Sequence, residues 1–110
     1  MSYSVRITRF AERKIESLPR DVQAKAYSAL VGLRTNPRPP GVRELAGMKS
    51  VYRLRAGDHR IVYAIRDDVL TVLVLSAEHR SKVYGTSEMK TINAAAEAFR
   101  REDIEQDEHR

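Results

Sequence analysis

The stretch Val51-Tyr52-Arg53-Leu54-Arg55-Ala56-Gly57-Asp58-His59-Arg60-Ile61-Val62-Tyr63 decides the fold. Two β-type runs flank Gly57-Asp58, a turn signal. If these two residues form the turn, Ala56 faces His59, Arg55 faces Arg60, Leu54 faces Ile61, Arg53 faces Val62 and Tyr52 faces Tyr63. A four-residue loop closing on 55 and 60 keeps the same pairing. Side chains alternate across a strand, so one face collects Tyr52, Leu54, Ile61, Tyr63 and Ile65 as a core face. The other presents Arg53, Arg55 and Arg60 together, with no acidic partner in the pattern. Facing like charges cost stability, and a fold accepts that more readily where an anion is to be bound.

Downstream, Asp67-Asp68 is a second turn signal before Val69 to Ser76. Residues 69–75 of that run are apolar on both parities, which predicts an interior strand covered on both faces and able to pair with the N-terminal strand. Upstream, Val5 and Ile7 alternate with polar neighbours in a short strand, and Thr8 is placed to cap a helix. The apolar stripe Phe10, Ala11, Lys14, Ile15 and Leu18 ends at Leu18-Pro19, where the proline ring biases its predecessor away from helix. From Pro19 onward, Val22, Ala26, Ala29, Leu30 and Leu33 recur at helical spacing, with Asp21 at the positive end of the dipole. Asn36-Pro37-Arg38-Pro39-Pro40-Gly41 stops that helix as a stiff connection. The predicted fold is α+β, with an N-terminal strand and α-helical hairpin packed on a mostly antiparallel, about four-stranded sheet.

With 110 residues, 42% of them hydrophobic and 32% charged, the chain suits one modest core. The absence of Cys excludes disulfides, thiolate zinc sites and a thiol nucleophile, and three His remain as imidazole ligands. No metal or cofactor is expected. The first ten residues lack a secretory h-region and no run approaches the ~18 apolar residues of a membrane span, so a cytoplasmic protein away from membranes is expected. The formal charge is +5. It divides into 17 basic and nine acidic side chains over residues 1–96 and three and six over 97–110, that is, +8 and −3. A basic body attracts polyanions, nucleic acid or an acidic protein. After polar residues 77–85, residues 91–104 are expected to be helical with Ile92, Ala95, Ala96 and Phe99 on one side, and the acidic end beyond Glu105 to be disordered.

The quoted hairpin, the Val/Leu strand and then His79-Arg80-Ser81-Lys82-Val83-Tyr84 together resemble the RelE branch of the RelE/ParE toxin superfamily of type II toxin-antitoxin systems. Glu44-Leu45-Ala46-Gly47 resembles the family's entry into the hairpin, and the resemblance covers roughly residues 3–85. It implies a toxin domain over residues 1–88, with 89–110 as a C-terminal extension, partly helical and then acidic. It also implies a metal-independent endoribonuclease that cleaves mRNA in the ribosomal A site by 2′-hydroxyl attack on the adjacent phosphate. Its partners would be mRNA on the ribosome, near the 16S rRNA of the A site, and a cognate antitoxin protein.

Such a reaction needs a base, cations for the phosphorane and an acid. Matched to the family's motif, Arg53 and Arg55 take the basic positions of the first hairpin strand, Arg60 opens the next, and Arg80 and Tyr84 are the late arginine and tyrosine. The best-known pattern has lysines where Arg53 and Arg55 stand, and arginine effectively keeps its proton, so these two should clamp phosphate. His79, Tyr84, Lys82 and Glu78 are left as candidates for proton transfer, His79 first because imidazole titrates near neutrality. His59 is expected to be solvated in the turn, Tyr52 and Tyr63 to be core, and His109 to lie in the tail. Two alternatives are a ParE-like toxin that poisons DNA gyrase without RNase chemistry and an inactive antitoxin- or DNA-binding module on the same fold.

Overall fold

The computed structural model describes residues 2–79, 81, 82 and 84–104. Strand β1 (Ser4–Ile7) leads through Thr8 into helix α1 (Arg9–Glu16), where Thr8 Oγ1 accepts the Ala11 N–H at 3.1 Å. Pro19 opens α2 (Arg20–Thr35), whose Ala26, Leu30 and Leu33 are buried as their spacing predicts. A two-residue strand β2 (Arg43–Glu44) precedes β3 (Val51–Ala56), β4 (His59–Arg66) and β5 (Thr71–His79), and α3 (Thr86–Arg101) follows. The sheet order is β1-β5-β4-β3-β2, with β1 parallel to β5 and every other pair antiparallel. The α+β fold and mostly antiparallel sheet are as predicted, with β2 adding a fifth strand at the edge.

The hairpin pairing agrees at each predicted position, from Ala56 opposite His59 to Tyr52 opposite Tyr63. Gly57 sits at φ 64°, the left-handed backbone that a two-residue hairpin turn asks of its first central residue and that a side chain would strain. β5 is buried from Thr71 to Glu78 because helices cover both faces of the sheet. On one face α1 and α2 pack Ala11, Ile15, Leu30 and Leu33 against Ile61, Tyr63, Val72 and Val74. On the other, Ile92, Ala96 and Phe99 of α3 pack against Val51, Val62, Leu73 and Leu75. Each of the Ile, Leu, Val and Phe side chains removed from water contributes roughly 1.5–3 kcal/mol.

Four details differ from the sequence reading. The strand predicted to start at Val69 starts at Thr71 and runs on to His79, because Asp67–Val69 forms a 3-10 turn and Leu70 takes φ 46°. That turn is anchored from outside, since Asp67 accepts from Tyr3 Oη at 2.6 Å and from the Arg38 guanidinium at 2.9 and 3.1 Å. The last helix starts at Thr86, before the predicted 91, so the boundary after residue 88 falls inside a helix that builds the second core. Third, His59 is half-buried in β4 with its ring edge-on to His79, centroids 5.1 Å apart, instead of solvated. The fourth is the edge strand β2. Glu105 and the acidic end lie outside the described residues.

Candidate active site

The arginine face continues beyond the hairpin. Arg55 pairs with Arg60 and Arg60 with Glu78 across β3, β4 and β5, while Arg43 of β2 pairs with Arg53. A cavity of about 240 Å³ opens where this face meets the C-terminal end of β5 and the start of α3. Arg53, Arg60, Glu78, His79, Lys82 and Tyr84 line it over an apolar floor of Leu45, Val62 and Met89. Thus most of the residues singled out from sequence converge. Arg55 is exposed and lines a neighbouring groove with Gly41, Arg43 and Arg53. Arg80 lies outside the described residues.

Among the described residues, none of Arg43, Arg53, Arg55 or Arg60 makes an ion pair. The Arg60 Nε is buried and lacks a hydrogen-bond partner there. An unmatched buried donor is costly. The acidic component is occupied. Lys14 of α1 contacts the Glu78 carboxylate and lies 3.0 Å from Glu88, while Lys82 lies 3.6 and 3.5 Å from the same two groups. The Lys14 ammonium, with the Gly85 N–H, holds the Glu88 carboxyl down at about 2, and hydrogen bonding to Glu78 raises Lys14 above the usual lysine range.

Burial raises the Tyr84 phenol above its ordinary value, and its hydroxyl donates to Ser76 Oγ at 3.3 Å. It therefore stays protonated at neutral pH and can donate a hydrogen bond. The His79 Nδ1 accepts the Ser81 N–H at 3.2 Å and lies 2.7 Å from Ser81 Oγ. With Nδ1 accepting that N–H, the ring nitrogen left to donate is Nε2. Glu78 is the carboxylate in the cavity lining.

Lys14, Glu88 and Arg43 escaped sequence reasoning. Lys14 had a visible signal, a lysine inside an otherwise apolar helical stripe. Arg43 had none, because a two-residue strand is too short to show period two.

Comparison with known proteins places these features in context. Residues 5–84 match the family described as "ParE toxin of type II toxin-antitoxin system, parDE". Toxin RelG of Mycobacterium tuberculosis is 35% identical over 88 residues, covering 76% of this chain and 98% of that protein. Toxin RelE of the same organism is 32% identical over 83 residues, with 74% and 86% covered. Among solved structures, the RelE-RelB complex of Pyrococcus horikoshii matches with a TM-score of 0.67 at 25% identity, covering 76% of this chain and 100% of that one. The M. tuberculosis toxin-antitoxin complex RelBE2 matches with a TM-score of 0.66 at 28% identity, covering 73% and 100%.

Proposed function

Because the chain belongs to the RelE/ParE toxin superfamily of type II toxin-antitoxin systems, we propose that it is a metal-independent endoribonuclease acting on mRNA in the ribosomal A site. The observation that carries this reading is the cavity that gathers Arg53, Arg60, Glu78, His79, Lys82 and Tyr84 on one face. In the proposed reaction the substrate's 2′-oxygen forms a bond to the adjacent phosphorus while the bond to the 5′-oxygen breaks, leaving a cyclic phosphate and a 5′-hydroxyl. The nucleophile belongs to the RNA, so the protein supplies charge and proton transfer alone.

Arg53 and Arg60 bind the two non-bridging oxygens, and their guanidinium forks hold the negative charge that builds on the phosphorane. Glu78 takes the 2′-proton, with Lys14 and Lys82 fixing its carboxylate. Tyr84 Oη and His79 Nε2 donate toward phosphate and leaving oxygen. Arg80, next to His79 in the chain, adds a further cation, and Arg55 holds the strand outside the cavity. A cognate antitoxin is the protein partner, as RelB is for the RelE proteins solved in complex with it. The site of action is the cytoplasm; no helix among the described residues is long and apolar enough to cross a membrane.

The test is to sequence RNA 5′ ends after brief induction of the chain without antitoxin. Cleavage within translated codons is expected, and it should vanish in the Arg60→Ala, Arg80→Ala double variant while antitoxin binding persists. The parDE description of the matched family favours a second reading, a gyrase poison. Accumulated gyrase cleavage complexes without new RNA ends would establish that reading and overturn the first.

A further inference from the structure

Beside the candidate active site, the groove of about 270 Å³ between β2 and β3 is lined by Gly41, Arg43, Arg53 and Arg55. We infer that it is a second phosphate site, which binds a backbone phosphodiester of the same RNA strand next to the scissile one, with Arg43 as its principal cation. The inference rests on the nuclease reading and extends it along the strand.

Arg43 lies directly opposite Arg53 in the β2–β3 pairing, and Arg55 follows Arg53 on the same face two residues on. Three guanidinium groups thus share a groove with no carboxylate in its lining. The nearest acidic neighbour in sequence, Glu44, is turned away, since its Oε2 accepts the Ser50 N–H at 3.0 Å and closes the loop before β3. Directly opposed like charges destabilise a strand pair, and a two-residue strand has little ladder to offset the loss. An anion in the groove supplies the missing counter-charge.

Its chemistry favours phosphate on RNA over a peptide carboxylate. The lining has no apolar or aromatic side chain among the described residues, so a protein segment would find no anchor there, whereas guanidinium forks match phosphate oxygens. The volume is several times the ~30 Å³ share of a water, room for a phosphate with part of its sugar. Arg53 lines both this groove and the active-site cavity, so the two are adjacent along the face. A strand whose scissile phosphate sits at Arg53 and Arg60 then passes its neighbouring phosphate to Arg43, a contact that sets position and carries no base information.

The test compares the full-length chain with its Arg43→Gln variant, using short single-stranded RNA with 2′-O-methyl sugars that cannot be cleaved, read by fluorescence anisotropy over a salt series. Each strand of a set carries one methylphosphonate, a linkage without charge. Arg43→Gln should lower the salt slope of binding by about 0.7, the share of one phosphate on a single strand. One methylphosphonate position should reproduce the variant's loss in the wild type and show no added loss in the variant. A thermal melt of each protein checks that folding is unchanged. The inference fails if the variant loses the same affinity at every linkage position, which marks a diffuse field, or if antitoxin binding weakens while RNA binding does not, which assigns the groove to the protein partner. Cleavage of unmodified RNA by the wild type is scored separately, so loss of the nuclease reading stays distinct from loss of this site.

Discussion

Replacing Phe99 by Ala tests whether α3 belongs to the same cooperative unit as the sheet. Phe99 is 1% exposed and packs in the cluster built by Ile92, Ala96, Val62, Leu73 and Leu75. Arg66 and Arg6 guanidinium carbons lie 5.8 and 5.9 Å from the ring centroid, and Arg66 also donates to the Phe99 and Glu102 carbonyls at 2.9 and 2.5 Å, closing the end of the helix. Truncation of a buried Phe to Ala costs about 3–5 kcal/mol, and the two cation–π contacts place this site toward the upper end. Against a total stability of about 5–15 kcal/mol, that is a third or more of the whole. With a urea slope of about 1–3 kcal/mol/M, the unfolding midpoint followed by far-UV circular dichroism should fall by roughly 2 M, and Phe99→Leu should recover most of it. A loss below about 1 kcal/mol at unchanged slope would refute the reasoning, because it would mean that α3 opens without the sheet.

Other expectations concern the site. Tyr84→Phe removes a protonated donor while the fold loses a single 3.3 Å bond to Ser76, so RNA cleavage in a translating extract should fall by about 10² or more with the melting temperature little changed; full activity would remove Tyr84 from the chemistry. The Glu88 carboxyl, held at about 2 by Lys14, should stabilise the fold fully above its unfolded value of 4.5 and lose that contribution as pH falls toward 2. Urea midpoints measured from about pH 5 to pH 2 should therefore drop less steeply in Glu88→Gln than in the wild type, and parallel curves would contradict the Lys14–Glu88 linkage.

Local patterning accounts for most of the fold. The stripes of α1 and α2, the Thr8 cap, the Pro19 break and the hairpin pairing around Gly57 are all decided by neighbours a few residues apart. The doubly buried β5 was legible from its unbroken apolar run, and the arginine face followed from pairing arithmetic alone. Where the chain departs from the sequence reading, a distant group intervenes. Tyr3 and Arg38 hold Asp67 in the turn before β5, and His59 stands in the ladder opposite His79 with its ring edge-on to it. Interactions of that kind leave no periodic trace.

Sequence by itself determined which residues share a face, because strand and helix geometry converts spacing into side. Tertiary structure decided what stands against that face. It brought Lys14 from α1 between Glu78 of β5 and Glu88 of α3, laid α3 over the second core, and set Arg43 beside Arg53. The physical reason is range. Pairing and helical spacing act along the chain, whereas charge placement at the site is a sum over residues that only packing makes neighbours.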